Sequence, residues 1–217
     1  MVEPNIDEAR SSQFAAGEAR WLIAGHPSAS PHRISALFQG NFQSYEVEGA
    51  NPNFDDVLED IDACALVINA KTGVSSSMID FWGHVSERQF PRLMIVCGLE
   101  LSEIDFDDIV LIANRVLEQV VTPFLVLHDD VGEPIGLISL DSTDVHDYST
   151  KTEHIYPADE ELKGLIAEFR SEYQEQTEGL DDDAFGAGLV VPALPLVESR
   201  GIGISELTRY FKKATRL

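Results

Sequence analysis

The chain has 217 residues, 44% of them hydrophobic, enough for one full core with at most a small appended subdomain. Its 38 acidic against 15 basic residues give a net charge of −23, which argues against direct nucleic-acid binding and directs charged contacts towards basic partners. No apolar run approaches a membrane span, and the acidic start Met1-Val2-Glu3-Pro4-Asn5 is unlike a signal peptide, so a cytoplasmic protein without membrane contact is expected.

Residues 1–19 are polar, small and without clear period, and read as a loose N-terminal segment. A short apolar strand is expected over 20–24, then a loop, a helix to about Gln39 stopped by Gly40, and an extended stretch over 42–47. A turn cluster at 49–53 precedes a short acidic helix over 54–60. The clearest signal follows: uninterrupted apolar strands over 64–68 and 93–97 alternate with amphipathic helices over 77–89 and 106–120, which calls for a mostly parallel sheet with helices on both faces. Further strands are expected over 124–127 and 135–140. The chain is then turn-rich to about Pro157, with an acidic helix over 159–177, a strand over 189–194 and a closing helix over 204–213.

Trp21 and Trp82 lie in apolar periodic elements and are expected in the core. Cys64 opens one strand and Cys97 closes another, so both read as small core hydrophobes, out of bonding reach. The six histidines show no short metal-binding spacing, so no metal site is expected except by long-range assembly.

The stretch Gly25-His26-Pro27-Ser28-Ala29-Ser30-Pro31-His32-Arg33 has the strand–loop–helix frame of a phosphate-binding loop, GxxxxGK followed by Ser or Thr. Its last three motif positions hold Ser30, Pro31 and His32. Pro31 removes both the ammonium and a backbone N–H, and Ser30-Pro31 reads as an N-cap followed by proline at the first helical position. The alternative is residual anion binding by Gly25, His26, Ser28 and Ser30 with His32 and Arg33.

At Ile68-Asn69-Ala70-Lys71-Thr72-Gly73-Val74, followed by Phe90-Pro91-Arg92-Leu93-Met94-Ile95-Val96, the sequence resembles the GTPase domain of elongation factor G and the ribosomal protection proteins. Asp62-Ala63-Cys64-Ala65-Leu66, Ile104-Asp105-Phe106-Asp107, Pro134-Ile135-Gly136 and Leu189-Val190-Val191-Pro192-Ala193-Leu194 are similar to further stretches of that family, and Gly25-His26 to the start of its phosphate loop. The resemblance spans roughly 20–213. It implies a P-loop NTPase-like α/β core over 20–147 and 189–217 with an inserted helical subdomain over 148–188.

Carried over by residue, the family's nucleotide-reading motifs are replaced. The guanine-specificity motif falls on Cys97-Gly98-Leu99-Glu100, where Glu100 is a longer carboxylate than the Asp that accepts the guanine N–H groups. The second switch would fall near 48–53 without its Asp, Gly or His. The first switch has no room, and the loop that backs the guanine aligns with Val197-Glu198. Phosphoryl transfer is nearly all positioning and electrostatics by these parts. The resemblance therefore implies a pseudo-GTPase with no catalytic residues and no cofactor, a vestigial site at Gly25, His26, Ser28, Ser30, His32, Arg33 and Glu100, and a regulatory or interaction role with a basic protein or translation component. The alternative implication is a divergent GTPase that still binds GTP or GDP through an atypical loop.

Overall fold

The computed structural model describes residues 18–49, 53–101, 104–150 and 152–214, so the N-terminal segment expected over 1–19 lies almost wholly outside the described residues. Five strands form a central sheet: β1 (Trp21–Gly25), β2 (Phe42–Glu46), β3 (Ala63–Asn69), β4 (Arg92–Cys97) and β9 (Ala193–Leu196). Their order is β2-β1-β3-β4-β9 and every neighbouring pair is parallel. The apolar runs of β1, β3 and β4 are buried residue after residue, as a sheet covered on both faces requires.

Alternation along a strand shows what covers each face. Phe42 and Tyr45 are an odd number of residues apart and point to opposite sides of β2. The Phe42 ring lies 5.0 Å from Phe211 of α7 (Ile204–Lys213), whereas Tyr45 lies 6.0 Å from Phe81 of α3 (Ser76–Glu87). Trp21 joins the first cluster, 4.7 Å from Phe211, and donates Nε1–H to the Phe211 carbonyl. Trp82 donates to Glu118 Oε2 at 3.1 Å. Both indoles are core, and both cysteines are buried free thiols at opposite strand ends, Cys64 opposite Arg92 and Cys97 opposite Asn69.

Helix starts follow local chemistry. Ser75 Oγ accepts from the Met78 N–H at the start of α3, and Asp105 with Asp108 forms a reciprocal capping box on α4 (Phe106–Val116). That helix stops short of the expected 120, because Leu117 leaves helical dihedrals and Asn114 Oδ1 takes the Val120 N–H at 2.8 Å. The early helices are short too: α1 spans Pro31–Ser35 rather than reaching Gln39, and α2 spans Phe54–Leu58.

The largest departure from expectation begins at Phe124. Strands β5 (Phe124–His128), β6 (Pro134–Ser139), β7 (Asp144–Asp147) and β8 (His154–Pro157) form a separate antiparallel sheet in that order. The boundary expected at 148 falls inside this sheet, and the segment expected to be helical from 148 opens with a strand. β7 and β8 are short and polar, so no period-2 signal marks them. The turn between β5 and β6 is organised by Asp129 Oδ1, which accepts from the N–H groups of Val131 and Glu133. The single helix expected over 159–177 is two, α5 (Glu160–Leu165) and α6 (Ala167–Gln176). They break at Ile166, whose side chain is buried with Ile138, Leu140, Val145 and Ala158 in a small second core.

This sheet is tied to α7 by polar side chains. His146 Nδ1 lies 2.8 Å from Glu206 Oε1, and the Tyr148 hydroxyl donates to the same carboxylate. Hydrogen bonding to Glu206, working against burial, holds the His146 imidazole above its ordinary pKa.

Candidate functional site

In the order β2-β1-β3, the chain leaves β1 for one side and returns on the other, so the order of strand addition reverses between β1 and β3. Such a reversal splays the connections at the carboxyl ends of the strands and leaves a crevice there. A cavity of about 180 Å³ occupies this position, lined by residues that follow β1, β3, β4 and β9. The lining takes residues 28–30 and Arg33 from the loop and helix after β1, Asn69 and Lys71 from the end of β3, and Glu100 and Glu198 from the segments after β4 and β9.

The loop after β1 is closed on itself. Residues Pro27–Ala29 make one turn of 3₁₀ helix, capped by His26, whose Nδ1 accepts from the Ser28 N–H at 3.2 Å. The Ala29 N–H goes to the His26 carbonyl at 2.8 Å and the Ser30 N–H to the Pro27 carbonyl at 2.9 Å. Pro27 and Pro31 have no N–H to offer. Every main-chain donor from 27 to 31 is therefore absent or engaged within the loop. The turn is pinned from below by Asn69 Nδ2, which donates to the Ser28 carbonyl at 2.9 Å, and by a 2.8 Å bond between the hydroxyls of Ser28 and Thr72.

Ser30 starts α1 as expected but does not cap it with its side chain. The chain turns out of the 3₁₀ segment through a left-handed residue, Ser30 at φ 49 and ψ 59, and from this backbone its hydroxyl makes no capping bond. The helix start is held by the Ser30 carbonyl instead, which accepts from Arg33 and Ile34. Gly25 has a packing role: a Cβ there would stand 2.5 Å from the Val67 carbonyl oxygen of β3. Only glycine permits that approach.

Both signs of charge occur in the cleft. Arg33 is bound to Glu198 at 2.6 Å, and Lys71 and Glu100 belong to the same lining. Cys97 stays a neutral thiol, pushed up to about 12 by burial and then by the nearby Glu198 and Glu100 carboxylates. Glu100 Oε1 takes a long contact of 3.5 Å from Ser199 Oγ, while its buried Oε2 has no partner among the described residues. The lining thus holds two carboxylates against Arg33, already paired, and Lys71, so it carries no excess of positive charge to attract a polyphosphate.

Of the residues singled out from sequence, Ser28, Ser30, Arg33 and Glu100 line the cleft. Gly25 ends β1 beside Val67 of β3, His26 is spent as a cap, and His32 is exposed outside the lining. Asn69, Lys71 and Thr72 are additions; their signal was their place immediately after a fully apolar strand, where α/β folds collect functional groups. The stretch aligned with the second switch falls partly on 50–52, outside the described residues.

The fold and cleft define a mixed α/β protein with a mostly parallel five-stranded sheet. No family profile matches the chain, and no curated protein matches it. Among solved structures it is similar to the protein ttk003000868 of Thermus thermophilus, with a TM-score of 0.65 and 15% identity over 92% of this chain and 40% of that protein. The chain thus spans less than half the length of that neighbour, and the likeness is one of fold.

Proposed function

We propose that the chain is a translational-GTPase-like domain with a P-loop-type core and a small inserted subdomain, which does not hydrolyse GTP and works as a protein-interaction or regulatory module in translation. One observation carries this reading: the loop after β1, where phosphates would be cradled, uses the N–H groups of 28–30 internally, and its Arg33 is already paired with Glu198. The acidic surface then serves recognition, with a basic protein or translation component as partner. A second reading, a divergent GTP or GDP binder, is favoured by the unpartnered Glu100 oxygen in the cleft.

Thermal melting with GTP or GDP, with and without Mg²⁺, separates the two. Nucleotide at a hundred times its Kd would add about 2.7 kcal/mol, a rise of roughly 5–10 °C for a chain of this size. No rise is expected at millimolar nucleotide, and a Mg²⁺-dependent rise would establish the second reading. The link to translation is tested by cosedimentation with ribosomes. Association that is lost in high salt is expected, and free protein at low salt would remove that part of the proposal.

A further inference from the structure

Away from the cleft, three potential metal ligands converge from three separate elements. His146 comes from β7, Glu153 from the residue before β8 and Glu206 from the first turn of α7. Their ligand atoms all lie within 4.8 Å of one another. His146 Nδ1 is 2.9 Å from Glu153 Oε1 and 2.8 Å from Glu206 Oε1. The Glu206 side chain is 0% exposed, His146 5% and Glu153 26%. No short sequence motif links them.

Counting protons shows why this is more than a hydrogen-bond network. Tyr148 OH lies 3.0 Å from Glu153 Oε1 and 3.1 Å from Glu206 Oε2, and Ser205 Oγ lies 3.3 Å from both Glu153 oxygens. Each hydroxyl supplies one proton: that of Tyr148 is shared among Glu153 Oε1 and both oxygens of Glu206, and that of Ser205 among the Glu153 oxygens and the Tyr148 hydroxyl. Between the imidazole nitrogen and the two facing carboxylate oxygens there is at most one proton for two contacts. Even with imidazolium the cluster keeps a net negative charge, and among the described residues neither carboxylate has a Lys or Arg partner within salt-bridge distance. A buried excess of negative charge is costly unless a cation offsets it.

We propose that His146, Glu153 and Glu206 bind a zinc ion that clamps the antiparallel sheet onto α7. One imidazole and two carboxylates are an accepted zinc donor set, and three protein ligands leave a fourth position for water. With bonds of about 2.0–2.1 Å, tetrahedral donor atoms stand about 3.3 Å apart, so each His146–carboxylate separation opens by roughly half an ångström on loading. Glu153 sits on the connection between β7 and β8 and is the partly exposed member. A cavity of about 400 Å³, bordered by His146, Glu206, Ser139 and Asp144, reaches the cluster and gives the ion an entry path. Tyr148 and Ser205 hydrogen-bond to the same carboxylates and help orient them.

The test uses the untagged full chain, stripped with chelator and dialysed against zinc chloride. One zinc per chain is expected, with a raised melting temperature; Glu153→Gln, which alters a partly exposed side chain, is expected to stay folded and to lose affinity at least about a hundredfold. Cobalt(II) in place of zinc should give the intense visible absorption of a four-coordinate ion in the wild type and none in Glu153→Gln. If the wild type retains no zinc, or if Glu153→Gln and Glu206→Gln retain it as tightly as the wild type, the proposal is overturned.

Discussion

Arg92 is 6% exposed and heads a strand that is otherwise apolar, so its charge must be answered inside the protein. Its guanidinium donates to both oxygens of Glu118, and Nη1 also donates to the Gly188 carbonyl at 3.0 Å. Glu118 in turn accepts from Trp82 Nε1 and Ser86 Oγ, which ties α3, β4 and the end of α4 to one carboxylate. Glu118→Gln keeps the shape but leaves the guanidinium without its counter-charge. The expected cost is about 3–5 kcal/mol, measured as a lowered urea midpoint with unchanged slope. Replacing Arg92 and Glu118 together by Met and Leu should cost clearly less than Glu118→Gln alone, because no charge is then left unanswered. Sequence shows Arg92 entering a buried strand, yet nothing in it points 26 residues onward to Glu118. The same limit hid the zinc cluster, whose members are spread from 146 to 206. At the cleft, Ser28 and Arg33 could be singled out from the local strand–loop–helix frame and Glu100 only from the family resemblance, whereas the internal closure of the loop depends on dihedrals that no residue type alone dictates.

At the scale of elements, periodicity worked where a face is continuously buried. α7 occupies 204–213 as expected, because Leu207 and Phe211 repeat at helical spacing on the core side. β9 shows the opposite case. Its apolar approach from Leu189 reads as strand, but Leu189 is 71% exposed and regular pairing begins only at Ala193, after a single bridge of Pro192 with Val121. Hydrophobicity alone does not separate a covering loop from a strand. The joint between β9 and α7 carries a sharper constraint. Gly203 precedes α7 at φ +88, and a Cβ there would lie 2.0 Å from the Pro195 carbonyl oxygen, a main-chain atom of β9 that has no rotamer by which to give way. Gly203→Ala therefore meets both backbone strain and overpacking, together about 2–5 kcal/mol. The measured outcome should be a lower denaturation midpoint, together with loss of the near-ultraviolet signal of Trp21, which α7 contacts through Phe211. A variant with the wild-type midpoint would mean that α7 does not approach β9 this closely.

For the whole molecule the governing quantity is the excess of 38 acidic over 15 basic side chains. Two salt effects oppose each other. Exposed pairs such as Arg20 with Asp60, or Arg33 with Glu198, weaken as chloride is added, and each contributes no more than about 1 kcal/mol. Repulsion among the unmatched carboxylates is spread over the surface and also weakens, since the screening length falls from about 30 Å at 0.01 M to about 10 Å at 0.1 M. With a net charge of −23 the repulsive sum dominates the few pairs, so the fold should become more stable as salt rises. The melting temperature is expected to climb by several degrees between low salt and half-molar KCl, equally in NaCl, with most of the gain below about 0.2 M, where screening of separated surface charges is steepest. A falling melting temperature would show that the pairs, not the excess charge, control stability. The same titration should act in the opposite sense on association with a basic partner, which loses affinity as its attraction to this surface is screened. If the fold tightens while association with the proposed basic partner loosens over one salt range, the charge serves that recognition rather than stability, and the two curves together separate these uses.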